Sequence, residues 1–312
     1  MKNEVEKVSD LFLDKNLIED IFEHIDVKEQ TKKEYCYFVR NFIVFMQNKL
    51  FNENSFLEFK KYLSERTNLS VATKNKYLTS ARIFLKELNR RRIIPIDITH
   101  NIKSFSQSKK HKREGMSEKE IALLTKKVRQ FSNKENNIRI KAILCLLTLQ
   151  GLRQCEIVRL DVEDLDLVNN LIFVRGKGED DKEPINLHPE TSIVLSEYVK
   201  KCRIADGAVF TSWSNNNKGN RISVASLRQI IRELLQKLEI IKPVHGFRHY
   251  FTTKLINTYK GDLLEVARYT RHKSIEMLQV YNDNIKLKAD LPRYYRAFEG
   301  VSFERKTDLS PL

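Results

Sequence analysis

The sequence predicts a mainly α protein with a small β-hairpin or sheet (α+β), divided into a helical N-terminal domain and a mixed C-terminal domain. Three observations support this prediction. Apolar residues recur three and four positions apart over most of the 312 residues, which gives a helix one buried face. Two short strand-like runs flank a glycine-containing turn, as in a hairpin. A basic stretch without apolar periodicity separates the two parts.

The N-terminal domain is predicted to contain three helices. The first spans 31–50, with Thr31 as its N-cap and Glu34 completing a capping box. The second spans 55–66 and the third 71–92. We therefore assign residues 1–102 to a helical domain.

Basic residues are concentrated on the third helix and in the linker at 103–115. The helix residues are Lys74, Lys76, Arg82, Lys86 and Arg90, and the linker residues are Lys109, Lys110, Lys112 and Arg113. A basic helix face and a basic tether could lie against DNA phosphates. An ordinary solvated surface would have the same composition. These residues are candidates for DNA binding, with that alternative open.

The C-terminal domain, 116–312, is predicted to begin with a helix capped by Ser117 and a buried core helix at 138–149 that ends at Gly151. Strands at 171–174 and 183–187 follow. Further helices are predicted at 190–202, 223–238, 246–259 and 263–269. In the C-terminal tail, from about 284, Asp290 would cap a short helix that begins near Pro292 and stops at Gly300. Its apolar face would consist of Leu291, Tyr294, Tyr295 and Phe298.

Composition narrows the function. The chain has 56 basic and 41 acidic residues, a net charge of +15, and such an excess usually serves a polyanion, above all nucleic acid. No apolar run is long enough to span a bilayer. The four cysteines are scattered, without the spacing of a metal site or a disulfide framework. We expect a cytoplasmic protein without a metal or cofactor.

Several residues could together cleave a phosphodiester. That reaction needs a nucleophile, cations that hold the charge of the transition state, and an acid for the leaving oxygen. Arg153 follows a helix break, Lys177 lies in the hairpin turn, and His245 and Arg248 are three positions apart. His272 precedes Tyr281 by nine positions. Taken singly, each residue is more typical of a surface or core role than of catalysis.

The order of these residues resembles the active-site pattern of the tyrosine recombinases, the phage-integrase and Xer family. That family has an Arg in a GLR-x-x-E motif, a Lys on a β-hairpin, an H-x-x-R motif, a His or Trp, and a Tyr about nine positions later. They match Arg153, Lys177, His245, Arg248, His272 and Tyr281. The resemblance covers most of the chain and implies a core-binding domain followed by a catalytic domain.

The resemblance also implies a mechanism. Tyr281 would form a 3′-phosphotyrosyl link, Arg153 and Arg248 would hold the non-bridging oxygens, and His272 would donate a further hydrogen bond. His245 would assist proton removal from Tyr281, and Lys177 would protonate the leaving oxygen. The partner would be double-stranded DNA, with a tetramer assembled on two sites. About 30 residues precede the first predicted helix, too few for an added arm-type DNA-binding domain, which favours an Xer-like or short integrase.

Two departures from the family pattern are present. Arg271 stands where the family often has Gly, and Glu179, Asp180, Asp181 and Lys182 replace a basic run. Lys182 is thus a second candidate for the acid. We expect Glu156 to be structural, fixing a nearby Arg. The acidic cluster of Asp161, Glu163, Asp164 and Asp166 is interpreted as a solvated connection rather than a metal site.

Integration, excision, inversion and dimer resolution all fit this mechanism, with or without an accessory protein or partner recombinase. A type IB topoisomerase or a telomere resolvase is the alternative within related chemistry. The other alternative is a non-catalytic DNA-binding protein, which would have no need for Tyr281.

Overall fold

The computed structural model describes residues 15–47, 49–108, 114–176, 178–272, 274–299 and 301. Contacts divide the chain into one unit, Met1–Ser108, and a second, Lys109–Leu312. The predicted mainly α architecture with a small sheet is confirmed. The domain limits at 102 and 116 stay a prediction, and four of the linker cations, at 109–113, lie outside the described residues.

The first unit is built from helices packed around an aromatic core. They are α1 (Lys15–Glu23), α2 (Glu29–Met46), α3 (Ser55–Glu65) and α4 (Val71–Arg90). Phe42 and Phe59 meet edge to face, with ring centroids 5.1 Å apart, and Phe22 and Phe84 are fully buried between α1 and α4. Ser70 caps α4 by accepting a hydrogen bond from the Thr73 amide at 3.1 Å.

The N-terminal boundaries differ from the prediction. Helix α1 was not predicted, although Ile18, Ile21 and Phe22 give it a buried face. Helix α2 begins at Glu29, with Lys28 in the N-cap position, so Thr31 lies inside the helix and the proposed capping box is wrong. Helix α2 also ends at Met46, four residues early.

The second unit alternates helices with a three-stranded sheet. Its helices are α5 (Glu118–Arg129), α6 (Glu135–Thr148), α7 (Gln154–Ile157), α8 (Pro189–Lys201), α9 (Val224–Gln236), α10 (Gly246–Thr258), α11 (Leu263–Thr270) and α12 (Ile275–Arg296). Ser117 caps α5 in a capping box with Glu120, as the sequence predicts. Helix α6 lies in the core against α8 and α10.

The sheet consists of β1 (Leu165–Asp166), β2 (Leu171–Arg175) and β3 (Lys182–Asn186), antiparallel in that order. The hairpin pairs Leu171 with Asn186 and Arg175 with Lys182. Strand β1 escaped prediction because two residues are too few for a periodic pattern. The turn that joins β2 to β3 includes Lys177, which lies outside the described residues.

The predicted start of the last helix, near Pro292, is wrong. Helix α12 runs without interruption from Ile275 to Arg296 and includes Pro292, so no new helix begins there. Asp290 does not cap a helix; its carboxylate pairs with Arg293 at 3.2 Å. A proline in a helix leaves one backbone carbonyl without its usual partner, which is tolerated here because Pro292 is exposed to solvent. Gly300 lies outside the described residues.

Candidate active site

The turn after α6 places Arg153. Gly151 has a φ of 59°, in the left-handed region, and an added Cβ would lie 2.2 Å from Cδ1 of Phe251. Both features require glycine. Past this turn, Arg153 is the N-cap residue of α7, and its guanidinium donates to Glu156 at 2.7 Å.

Glu156 forms ion pairs with two arginines. Its side chain is fully buried and pairs with Arg153 at 2.7 Å and with Arg271 at 2.8 Å. Burial alone would raise the pKa of this carboxyl, but the positive charge of Arg271 and the hydrogen bonds from both arginines hold it below its ordinary value. Glu156 is therefore ionised and fixes Arg153, with Arg271 as a second partner that the sequence did not reveal.

Arg248 is buried at the beginning of α10, with 4% of its surface exposed. Its Nη1 donates to the carbonyl of Gly151 at 2.7 Å, and its Nη2 donates to the carbonyl of Thr270. Burial, followed by the charge of Arg153, lowers the pKa of Arg248 to about 10. Arg248 thus remains a cation at neutral pH and ties the Gly151 turn to the end of α11.

Tyr281 lies on α12 with 9% of its surface exposed. Burial raises the pKa of its phenol, while the charges of Arg248 and Arg153 oppose that rise. The ring centroid of Tyr281 is 6.3 Å from that of His272. The structure therefore brings Tyr281 together with both arginines and His272.

His272 is held through Thr270. Thr270 Oγ1 lies 2.7 Å from His272 Nδ1 and donates to the carbonyl of Val266 at 2.9 Å. Since a hydroxyl has one proton, both bonds form together when Nδ1 is the donor to Thr270. Burial and the charges of Arg248 and Arg153 lower the pKa of His272 to about 4. The ring is then neutral at pH 7, and Nε2 can donate only after a second proton binds.

A further histidine lies between two of the predicted site residues. His249 is buried on α10, and its ring centroid lies 4.9 Å from that of His245 and 5.1 Å from that of Tyr281. His245 itself is exposed. No motif in the sequence points to His249, although it lies four positions after His245, the N-cap residue of α10, a spacing that brings side chains together at a helix surface.

The two candidate acids differ in what the structure shows of them. Lys177 lies outside the described residues. Lys182 donates to Asp164 and, at 3.2 Å, to Glu163. The hydrogen bond to Asp164 is the main cause that raises the pKa of Lys182 above its ordinary value. Glu163 and Asp164 belong to the acidic cluster that was predicted to be solvated, and for Asp164 that prediction is wrong, because its side chain is buried.

The predicted DNA-binding row on α4 is not uniform. Lys76 and Lys86 are exposed, and Arg90 is exposed but forms two hydrogen bonds to Glu87. Arg82 is half-buried and donates to the carbonyl of Ile102 at 2.6 Å. Lys74 is buried, and its ammonium donates to the carbonyl of Ser64 at 2.9 Å. Lys74 therefore does not belong to a solvent-facing row, because its hydrocarbon stem and ammonium are used inside the unit.

Two features are absent from the part of the chain that the structure describes. No three His, Cys, Asp or Glu side chains there lie together in a way that could hold a metal ion. Within the same ranges, none of the helices has the length and apolar character that crossing a bilayer requires.

Comparison with protein families gives two matches. Residues 114–287 match the phage integrase family, which is more than half of the chain. Residues 13–94 match the phage integrase N-terminal SAM-like domain. The first match contains all six predicted catalytic positions.

Two individual relatives and one solved structure agree with these family matches. The chain is 27% identical over 228 residues to tyrosine recombinase XerC of Lactobacillus delbrueckii, covering 70% of this chain and 74% of that protein. It is 28% identical over 247 residues to tyrosine recombinase XerD of Oceanobacillus iheyensis, covering 76% and 79%. The crystal structure of XerH site-specific recombinase bound to palindromic difH substrate, a post-cleavage complex, has a TM-score of 0.68 at 17% identity and covers 86% of this chain and 80% of that one. The last similarity supports the fold.

Proposed function

The chain belongs to the phage integrase family, and on that premise we propose how its residues divide the work of a tyrosine recombinase. Such an enzyme cleaves and rejoins DNA strands. In this chain Tyr281 is the nucleophile, Arg153 and Arg248 bind the non-bridging oxygens, and Lys177 is the acid. His245 accepts the phenol proton, and His272 gives a further hydrogen bond to the phosphate.

The cleavage step is a transesterification. Tyr281 Oη attacks phosphorus, its proton passes to His245, and the bond from phosphorus to the 5′-oxygen breaks. The 5′-oxygen takes a proton from Lys177 and leaves as a hydroxyl, while the phosphate stays joined to Tyr281 at its 3′ side. Attack by a 5′-hydroxyl of the partner duplex reverses the step. Each broken ester is replaced by another ester, so no nucleotide is consumed.

The observation that most supports these roles is the electrostatic environment of Tyr281. Its phenol is nearly buried, which raises its pKa, and it is therefore protonated at neutral pH. Arg248 and Arg153 are close enough to oppose that rise, and the same two charges depress the pKa of His272. Burial is the larger cause of the lowered pKa of His272. A bound phosphate would offset the two arginine charges and so favour uptake of the proton that Nε2 needs as a donor.

Double-stranded DNA is the substrate in this proposal, the cytosol is the compartment, and a tetramer on two DNA sites is the active assembly. The tail is the proposed contact between subunits. Tyr294, Tyr295 and Phe298 are all more than half exposed at the end of α12, and Tyr294 and Phe298 meet edge to face at 5.5 Å. An exposed aromatic cluster of this kind is typical of an interaction surface.

The test is capture of the covalent intermediate. The purified chain is incubated with sheared genomic DNA of its source organism and quenched in denaturant, and the protein-linked DNA is sequenced. We expect one recurrent sequence, attached through a 3′-phosphate to the peptide that contains Tyr281. Tyr281→Phe should give no adduct and retain DNA binding within a few-fold.

Tyr259→Phe is the matched control, because it removes a phenolic hydroxyl outside the proposed site, on a ring whose centroid lies 5.7 Å from that of Tyr269. It should leave the adduct yield unchanged. An adduct of undiminished yield in Tyr281→Phe would assign the nucleophile elsewhere. DNA binding without any adduct from the wild-type chain would favour a non-catalytic binder, plasmid relaxation without exchange a type IB topoisomerase, and hairpin-ended products a telomere resolvase.

A further inference from the structure

Arg271 has an unusual backbone and an unusual environment. Its φ and ψ are 53° and 46°, the left-handed conformation, at the end of α11. Residues other than glycine adopt it infrequently because the Cβ crowds the following carbonyl. The side chain nevertheless folds inward, with only 8% of its surface exposed. A glycine would relieve the backbone crowding, so the guanidinium must provide something that glycine cannot.

The guanidinium of Arg271 joins two segments of the second unit. Its Nη2 donates to Glu156 at 2.8 Å, and its Nη1 donates to Glu183 at 3.0 Å. Glu156 in turn binds Arg153. The charges therefore alternate along Arg153, Glu156, Arg271 and Glu183, from the helix that presents one phosphate-binding arginine to strand β3.

Glu183 lies at the end of the hairpin from which the turn departs. It pairs with Val174 in the strand register, one step inside the last pair, Arg175 with Lys182. Neighbouring residues of a strand face opposite sides, and Lys182 accordingly binds Asp164 on the other side. The base of the turn is thus held on one side by Arg271, which adjoins His272 in sequence.

We infer that Arg271 is a positioning residue that fixes the base of the β2–β3 hairpin, between whose strands Lys177 lies in the sequence, relative to Arg153 and His272. The inference rests on the proposed function for the role of Lys177, but not for the contact of Arg271 with Glu183. Arg271 does not touch DNA in this view. It acts through Glu183. Because Glu156 keeps its pairing with Arg153, the loss of Arg271 would displace the acid more than the phosphate-binding arginines.

Arginine suits this task better than lysine. The planar guanidinium presents separate donors in fixed directions and can bind two carboxylates at once. A lysine at 271 would provide one flexible ammonium. Arg271→Gly is the most informative variant, since it favours the left-handed backbone while removing the bridge, so that loss of folding and loss of positioning are separated.

The experiment measures single-turnover cleavage on the duplex that the adduct sequencing identifies, in two forms. One has the natural bridging 5′-oxygen and the other has sulfur there, which leaves readily without an acid. With oxygen, we expect Arg271→Gly and Glu183→Gln to be slower by roughly 10²-fold, the cost of a misplacement of about 1 Å. With sulfur, most of the lost rate should return, and the dissociation constant for DNA should stay within a few-fold.

Glu163→Gln is the control, because it removes a carboxylate that contacts the same strand through Lys182 and leaves Asp164 in place. It should cleave both substrates at nearly the wild-type rate. Equal loss on the oxygen and sulfur substrates would overturn the inference, as would a normal rate for Glu183→Gln.

A second measurement needs no cleavage. Amide hydrogen exchange in β2 and β3 of the DNA-free chain should quicken in Arg271→Gly and Glu183→Gln, and not in Glu163→Gln. Unchanged exchange would overturn the inference even if the chain proved not to cleave DNA. Faster exchange in a chain that forms no adduct would contradict the proposed function and leave the contact of Arg271 with Glu183 supported.

Discussion

Single side chains in this site are distinguished by how their charges are paired. Arg153 and Arg248 are held by Glu156 and by backbone carbonyls, respectively, so both guanidinium groups are oriented before any phosphate arrives. Such preorganisation lowers the cost of meeting transition-state charge. The same reasoning applies to Lys182, which is already engaged by two carboxylates.

Lys182 should be a poor acid. The hydrogen bond to Asp164 raises the pKa of its ammonium, which makes the proton harder to give up. We expect Lys182→Ala to cleave DNA within a few-fold of the wild-type rate, and Lys177→Ala to be slower by roughly 10²- to 10⁴-fold. Single-turnover rates with oxygen and bridging-sulfur substrates test this, because sulfur should rescue only Lys177→Ala. Rescue of Lys182→Ala instead would move the acid to that residue.

Residue identity was the part of the site most accessible from sequence. The motifs that contain Arg153, the His245–Arg248 pair and the His272–Tyr281 pair are each short, and the structure places Tyr281 beside both arginines and His272. Their chemical roles stay a prediction. Arg271 was noticed only as a departure, because nothing in its neighbourhood along the chain indicates that Glu156 and Glu183, 115 and 88 positions away, would meet it.

At the level of elements, the site depends on sharp chain reversals. Gly151 separates α6 from α7, and its carbonyl accepts from Arg248, so one turn positions both phosphate-binding arginines. Its left-handed φ and the proximity of Phe251 act together. The two effects can be separated, because Gly207 has a comparable φ of 66° with no atom within 4 Å of an added Cβ.

Gly207→Ala should therefore lose about 1 to 2 kcal/mol of unfolding free energy, the cost of the backbone conformation alone. Gly151→Ala should lose that amount and roughly 1 to 3 kcal/mol more from the clash with Phe251. Urea unfolding followed by circular dichroism gives both values. Equal losses in the two variants would mean that Phe251 moves aside without cost.

Elements were predicted well where a pattern is long and poorly where it is short or interrupted. The core helix around Ile143 and Leu147 and the two hairpin strands are present as expected. Strand β1 is too short for a pattern, and only the last part of helix α12 is predicted, because Pro292 resembles a helix start. Proline does favour a first turn, but the preceding turns of α12 pack on the unit through Leu278 and Ile285 and continue past it.

For the whole molecule, the continuous α12 links the nucleophile to the tail. Ile285 packs on the unit, and Lys288 pairs with Glu114 at 2.8 Å. Beyond them the aromatic side chains of the tail are exposed. A cut at Asn284 would damage the unit itself, whereas a cut after Ala289 leaves these contacts intact and removes only the proposed intersubunit surface.

Truncation after Ala289 should leave thermal stability nearly unchanged, with a loss within about 0.5 kcal/mol, and should leave binding of one duplex intact. The complex of four chains with two duplexes should be lost. Analytical ultracentrifugation of the chain mixed with the duplex found by adduct sequencing would show this loss. Ile241→Ser is the control, because it removes an apolar side chain that lies outside the tail and is 96% exposed. This variant should assemble normally. Normal assembly of the truncated chain would show that the tail has no part in it.

The alternating chain of arginines and glutamates has an electrostatic consequence. Arg153, Arg248 and Arg271 supply three positive charges, and Glu156 and Glu183 supply two negative ones, so these five side chains together have one excess positive charge. A phosphodiester has one negative charge and brings the pocket to neutrality. The five-coordinate phosphorus has a second, which the ammonium of Lys177 or a protonated His272 would balance. With these roles, DNA capture pairs opposite charges and therefore depends on ionic strength. The chemical step depends instead on the supply of protons.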